Sequence, residues 1–224
     1  MLKSVRRWLF GPPALPGRVA LQAWCAERQL LLRPTRERDG FVIERPGGEP
    51  GWRMEWGPSR RTYLGSHELR LRGETGLDPL THAVLMPRAL MATLERELFS
   101  RITDGVQTRL DDDTPEEMRW LAMSTKLSPA QMGDLHAAYA AVSNAPEWMA
   151  PWLGGRLRPL LLAHTAEASG GLAVAPVFVL IAQRGGLVMR MASAAPDAHT
   201  LDAALPLFEL ALAETRRVVE VPLP

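Results

Sequence analysis

Along this chain the spacing of hydrophobic positions switches between a period of two and a period near 3.6, and the switches mark out its elements. In WRMEW, Trp52, Met54 and Trp56 alternate with Arg53 and Glu55, which is the pattern of a strand with one buried face. FVIER precedes it across the turn-rich PGGEPG, so the two segments predict a β-hairpin. HELRLRGE repeats the alternation, with Leu69 and Leu71 directed inward and Glu68, Arg70 and Arg72 outward. THAVLM follows the turn-like TGLDP, and together these segments predict an antiparallel meander of about four strands.

Helical spacing governs other stretches. PGRVALQAWCAERQL places Val19, Ala20, Ala23, Trp24 and Leu30 at helical intervals after Pro16, and PRALMATLERELFSR carries Leu90, Met91, Leu94 and Leu98 on one stripe. VQTRL reads as a short strand, and TPEEMRWLAM, SPAQMGDLHAAYAAVS and NAPEWMAPWL as three helical pieces. For residues 157–168 the Leu160 to Leu162 run would suit a strand, but Pro159 near the start and Gly170 at the end favour a helix. VFVLIAQ and LVMRMAS flank Arg184, Gly185 and Gly186. Their low charge predicts a hairpin lying centrally in the sheet and covered on both faces. LDAALPLFELALAETRR closes the chain as a helix, with Thr200 as the expected N-cap and a kink at Pro206.

The predicted fold class is therefore α+β: an antiparallel sheet built from a four-strand meander and a central C-terminal hairpin, with several helices against it. His67 to Arg101 and Val177 to Arg217 share the order strand, strand, helix, which would give two ββα-like halves, although their residues align poorly. The domain reading is a tail over 1–15 and one compact α+β domain over 16–224.

Composition narrows the class. With 46% hydrophobic and 23% charged residues, the 224-residue chain has the make-up of a globular protein rather than a disordered or fibrous one. The longest nearly apolar run, Leu172 to Ala182, is far shorter than the roughly 20 residues that span a bilayer. At the N-terminus only Trp8, Leu9 and Phe10 follow Lys3, Arg6 and Arg7, against the roughly 7 to 15 apolar residues of a secretion signal. A single cysteine, Cys25, forms no internal disulfide. These features lead to the expectation of a cytoplasmic protein. The net charge of +1 hides an imbalance: from Met1 to Gly73 there are 14 basic and 7 acidic residues, and from Glu74 to Ala150 there are 6 and 12. Such a chain can present a basic face and an acidic face.

Candidate chemistry starts with Asp111, Asp112 and Asp113, which stand where the VQTRL strand runs into a helix. Thr114 as N-cap, Pro115, Glu116 and Glu117 then make a capping box, and Asp113 sits in the favourable field of the helix start. Asp111 and Asp112 are not used by the cap, so they are candidates for an acidic docking patch or, as the alternative, for a metal-dependent hydrolase of unrecognised class. WRMEWGPSRRTYLGSHELRLR interleaves aromatic and basic residues. Alternation turns Trp52 and Trp56 to the core and leaves Arg60, Arg61, Arg70 and Arg72 as surface binding candidates. His67, His82, His136, His164 and His199 occur singly, without zinc spacing. Cys25 falls among hydrophobes as a core residue, and neither GxSxG nor a Walker-type loop is present in the sequence.

RWLFGPPALPGR, EWGPSRRTYLGSHELRLR and VQTRLDDDTPEEMRWLAM resemble stretches of uncharacterised conserved hypothetical proteins from bacteria. That resemblance implies a bacterial cytoplasmic setting and carries no activity, cofactor or site residue with it. The residues point first to a non-enzymatic binding or scaffold protein that needs no cofactor and meets a protein partner or a second copy of itself. Nucleic acid is not an expected partner, nor is membrane contact through the tail.

Overall fold

The computed structural model describes residues 18–47, 51–104, 114–170, 176–195 and 197–220. The N-terminal tail, the VQTRL segment, and Asp111, Asp112 and Asp113 lie outside the described residues. The strands are β1 (Leu31–Pro34), β2 (Phe41–Glu44), β3 (Trp52–Pro58), β4 (His67–Glu74), β5 (Ala83–Pro87), β6 (Thr125–Lys126), β7 (Tyr139–Ser143), β8 (Phe178–Gln183) and β9 (Gly186–Ala192). They form one antiparallel sheet in the order β1-β2-β3-β4-β9-β8-β5-β7-β6. The helices are α1 (Arg18–Glu27), α2 (Arg88–Asp104), α3 (Glu116–Met123), α4 (Pro129–Met132), α5 (Pro146–Gly154), α6 (Leu157–Gly170) and α7 (Ala198–Glu220).

The α+β class, the meander and the central hairpin are all present, but the meander has a different membership. Leu31–Pro34 is its first strand, and Ala83–Pro87 leaves it. Ala83 to Met86 are buried without alternation, so this strand needs cover on both faces. It finds that cover beyond β8, with Leu85 opposite Leu180, while β9 takes the place beside β4. Arg184 and Gly185, with φ of 52° and 75°, make the two-residue turn that joins β8 to β9.

Strand register sorts every side chain onto one of two faces. Ile43, Met54, Leu71, Met189, Leu180, Leu85 and Ala141 lie in one row across the sheet and belong to the larger core with α1, α5, α6 and α7. Trp24 on α1, Trp52 on β3 and Trp152 on α5 each donate an indole hydrogen to α7, at 2.7, 2.9 and 3.1 Å. Each indole thereby gives its polar hydrogen a partner while its rings fill the core. On the opposite face, Val84, Val142, Val179 and Ile181 meet Met91 and Leu94 of α2 and Met118 and Leu121 of α3. These two helices cover only that end of the face. The two ββα segments therefore do not repeat, since α2 and α7 lie on opposite faces and β4 does not pair with β5.

Three local readings change. SPAQMGDLHAAYAAVS is not one helix: Ser128 and Gln131 form the expected capping box, but α4 ends at Met132. Gly133 then turns the chain at a φ of +59°, and Tyr139–Ser143 is β7, between β5 and β6. At the last helix the side chain of Asp197, not Thr200, accepts the first-turn hydrogen, from the Thr200 amide at 2.6 Å. At α3, Pro115 occupies the N-cap position with no side-chain cap, and Glu117 turns elsewhere. Residues 157–168 are helical as favoured, within α6. Among the described residues no helix is long and apolar enough to cross a membrane.

Candidate functional site

Where α2 and α3 stop covering the second face, the outward residues of β3, β4 and β9 line up as charges. Glu55 lies opposite Arg70, and Arg70 opposite Arg190. From these three positions a ladder of alternating sign runs across the strands. Arg53 reaches Glu55 at 3.6 Å, Arg70 meets Glu55 at 2.7 Å and Glu68 at 3.8 Å, and Arg190 meets Glu68 at 2.6 Å. Ser59 donates to the other Glu68 oxygen at 3.3 Å. The ladder begins and ends on arginine, with two carboxylates for three guanidinium groups.

Depth decides what this arrangement can do. Glu68 is only 3% exposed and Arg190 only 9%. The sequence pattern directs Glu68 outward, and it does leave the main core, but the turn carrying Ser59 and Arg61 closes over it. Nε of Arg190 is buried with no hydrogen-bond partner, as is Nε of Arg53. Desolvated positive charge that its neighbours do not fully compensate projects a stronger field than the same charge in water.

A second group seals the seam between this ladder and α3. Glu117, 1% exposed, is gripped by Arg61 through both carboxylate oxygens and accepts from the Tyr63 hydroxyl at 2.7 Å. Burial and the neighbouring carboxylate hold the Tyr63 hydroxyl well above its ordinary pKa, so it remains a donor. Burial opposes the Arg61 charge, but the hydrogen bond and charge of Glu117 outweigh it and raise that group above its usual value. Glu117 is therefore no part of a capping box. It ties the β3–β4 turn to the start of α3.

Ladder and seal together border a cleft of about 500 Å³. Arg60, Arg61, Arg70 and Arg190 line it with Glu55 and Glu68, and the β1–β2 turn supplies Glu37 and Asp39. That turn is shaped by Thr35, whose hydroxyl donates to Asp39 at 2.9 Å and accepts from the Gly40 amide at 3.0 Å. Three of the four arginine candidates thus converge on one cleft. Arg72, further along β4 and opposite Arg53, is exposed and does not line it. Asp111 and Asp112 lie outside the described residues, and among the described residues there is no cluster of three metal-ligating side chains.

Arg190, Glu68, Tyr63 and Glu117 were not among the candidates. Arg190 left one trace, as the sole charge inside the apolar strand LVMRMAS. The Arg61–Glu117 and Tyr63–Glu117 contacts join residues 56 and 54 apart in sequence, a separation that periodicity does not register. No protein-family model matches the chain, and no match was found among curated proteins.

Proposed function

We propose that the protein is a binding protein that engages an acidic segment of a protein partner in the arginine-lined cleft. The observation that carries this reading is the convergence of Arg60, Arg70 and the nine-tenths-buried Arg190 on one concave site, where these three guanidinium groups stand with the two carboxylates Glu55 and Glu68. Guanidinium groups bind carboxylates through paired, directional hydrogen bonds, and a partly desolvated site strengthens them. Glu37 and Asp39, on the β1–β2 turn at the cleft, would favour a basic neighbour in the same segment, and this added charge pattern constrains the direction in which a segment lies.

The test is capture from the native host with full-length protein and with an Arg60→Ala, Arg70→Ala variant shown by circular dichroism to be folded. A partner held at low salt, released as salt rises and lost from the variant is the expected result. A set of captured proteins that the two substitutions leave unchanged would overturn the assignment. The alternative, a metal-dependent hydrolase built on Asp111 and Asp112, falls on residues outside those described.

A further inference from the structure

A second cavity, of about 670 Å³, opens at the far end of the sheet between α3, the segment before β5 and the β8–β9 turn. It is lined by Leu80, His82, Trp120, Met123 and Ser124 together with Asn144. Within it Nε2 of His82 lies 2.7 Å from Oγ of Ser124.

The surroundings hold the imidazole in place. In the tautomer with its hydrogen on Nδ1, Nε2 accepts from the Ser124 hydroxyl. Burial lowers the His82 pKa against the opposing effect of the Leu80 backbone, which favours the neutral ring. Trp120 stacks on the imidazole with centroids 4.7 Å apart. The backbone beneath is clamped: Asn144 accepts from the His82 amide at 2.8 Å and donates to the Leu80 carbonyl at 3.0 Å, and Ser143 donates to the His82 carbonyl at 2.9 Å. A hydroxyl within hydrogen-bond reach of an imidazole held by stacking and a clamped backbone is the nucleophile–base pair of an activated serine.

We infer that Ser124 and His82 form an acyl-transfer dyad acting on carboxylic esters with an apolar acyl group. Leu80, 82% exposed, and Met123, 78% exposed, supply the apolar walls beside it. Oγ of Ser124 attacks the ester carbonyl as its proton passes to Nε2. The bond to the alcohol oxygen breaks, and the alcohol leaves with that proton. Water, deprotonated by the same nitrogen, then cleaves the acyl-serine to release the acid and restore the hydroxyl. This site is separate from the arginine cleft and does not depend on its reading.

The test treats the full chain with a fluorophosphonate, maps the label by peptide mass spectrometry, and follows p-nitrophenyl butyrate hydrolysis. Expected are a label on Ser124, turnover abolished in Ser124→Ala, and labelling slowed about 10²- to 10⁴-fold in His82→Gln, the span a general base supplies. No label on Ser124 of the unsubstituted protein, or hydrolysis by Ser124→Ala at the unsubstituted rate, would overturn the inference. Mapping the label needs no variant, so a misfolded substitution does not rescue it.

Discussion

Glu116 and Glu117 are adjacent in sequence and have opposite energetic weights. Glu116 pairs with Arg184 across an exposed surface, where solvent screens the attraction. Glu117 is buried with Arg61 and Tyr63 fully committed to it. Removing one partner of a buried ion pair leaves an uncompensated charge, so Glu117→Ala is expected to lower the unfolding free energy by about 3 to 5 kcal/mol. Glu116→Ala is expected to cost no more than about 1 kcal/mol. Urea denaturation of both variants checks the pair, and equal midpoints would contradict the assignment. The sequence alone makes the two residues look alike, as members of one helix start. The difference comes from Arg61, more than 50 residues upstream, which only the fold brings into contact.

Elements were legible where burial is one-sided and obscure where it is not. Trp52, Met54 and Trp56 alternate because one face of β3 meets the core, and they were read correctly to the residue. Tyr139–Ser143 is buried on both faces and runs on from a capped helix start, so nothing in its spacing separated strand from helix. The β1–β2 turn went unread for another reason, since its shape depends on backbone proximity rather than on side-chain pattern. A Cβ placed on Gly40 would meet the Trp56 carbonyl oxygen at 2.0 Å, a contact with backbone that no rotamer relieves. Gly40→Ala is therefore expected to destabilise the fold by about 1 to 3 kcal/mol, the usual cost of overpacking. It should also displace the wall that carries Glu37 and Asp39. Thermal denaturation measures the first effect. The second is checked by the change in partner capture, which for Gly40→Ala should exceed that for a variant of matched stability altered in the larger core.

At the scale of the whole molecule, the arginine cleft sits where cover on the second face runs out. One row of the sheet passes from Glu44, Arg53 and Arg72 through Val188, Ile181 and Val84 to Val142. Its apolar end lies under α2 and α3 and its charged end lies bare. Backbone hydrogen bonds buried beneath layers on both sides open only when the protein unfolds, whereas edge strands open locally. Amides of β8 and of the paired part of β5 are therefore expected to exchange at the global unfolding rate. Those of β1 and β6, the two edges, are expected to exchange fastest among the strands, with β2 and β3 between them. Native-state hydrogen exchange read by mass spectrometry resolves these groups, and protection of β1 equal to that of β8 would contradict the layering. The gradient bears on the arginine cleft directly. Arg70 and Arg190 stand on inner strands and hold their places, while Glu37 and Asp39 belong to the turn between the two outermost strands of the meander. A bound acidic segment should then protect the β1–β2 amides more than those of β9, because only the outer wall has order left to gain.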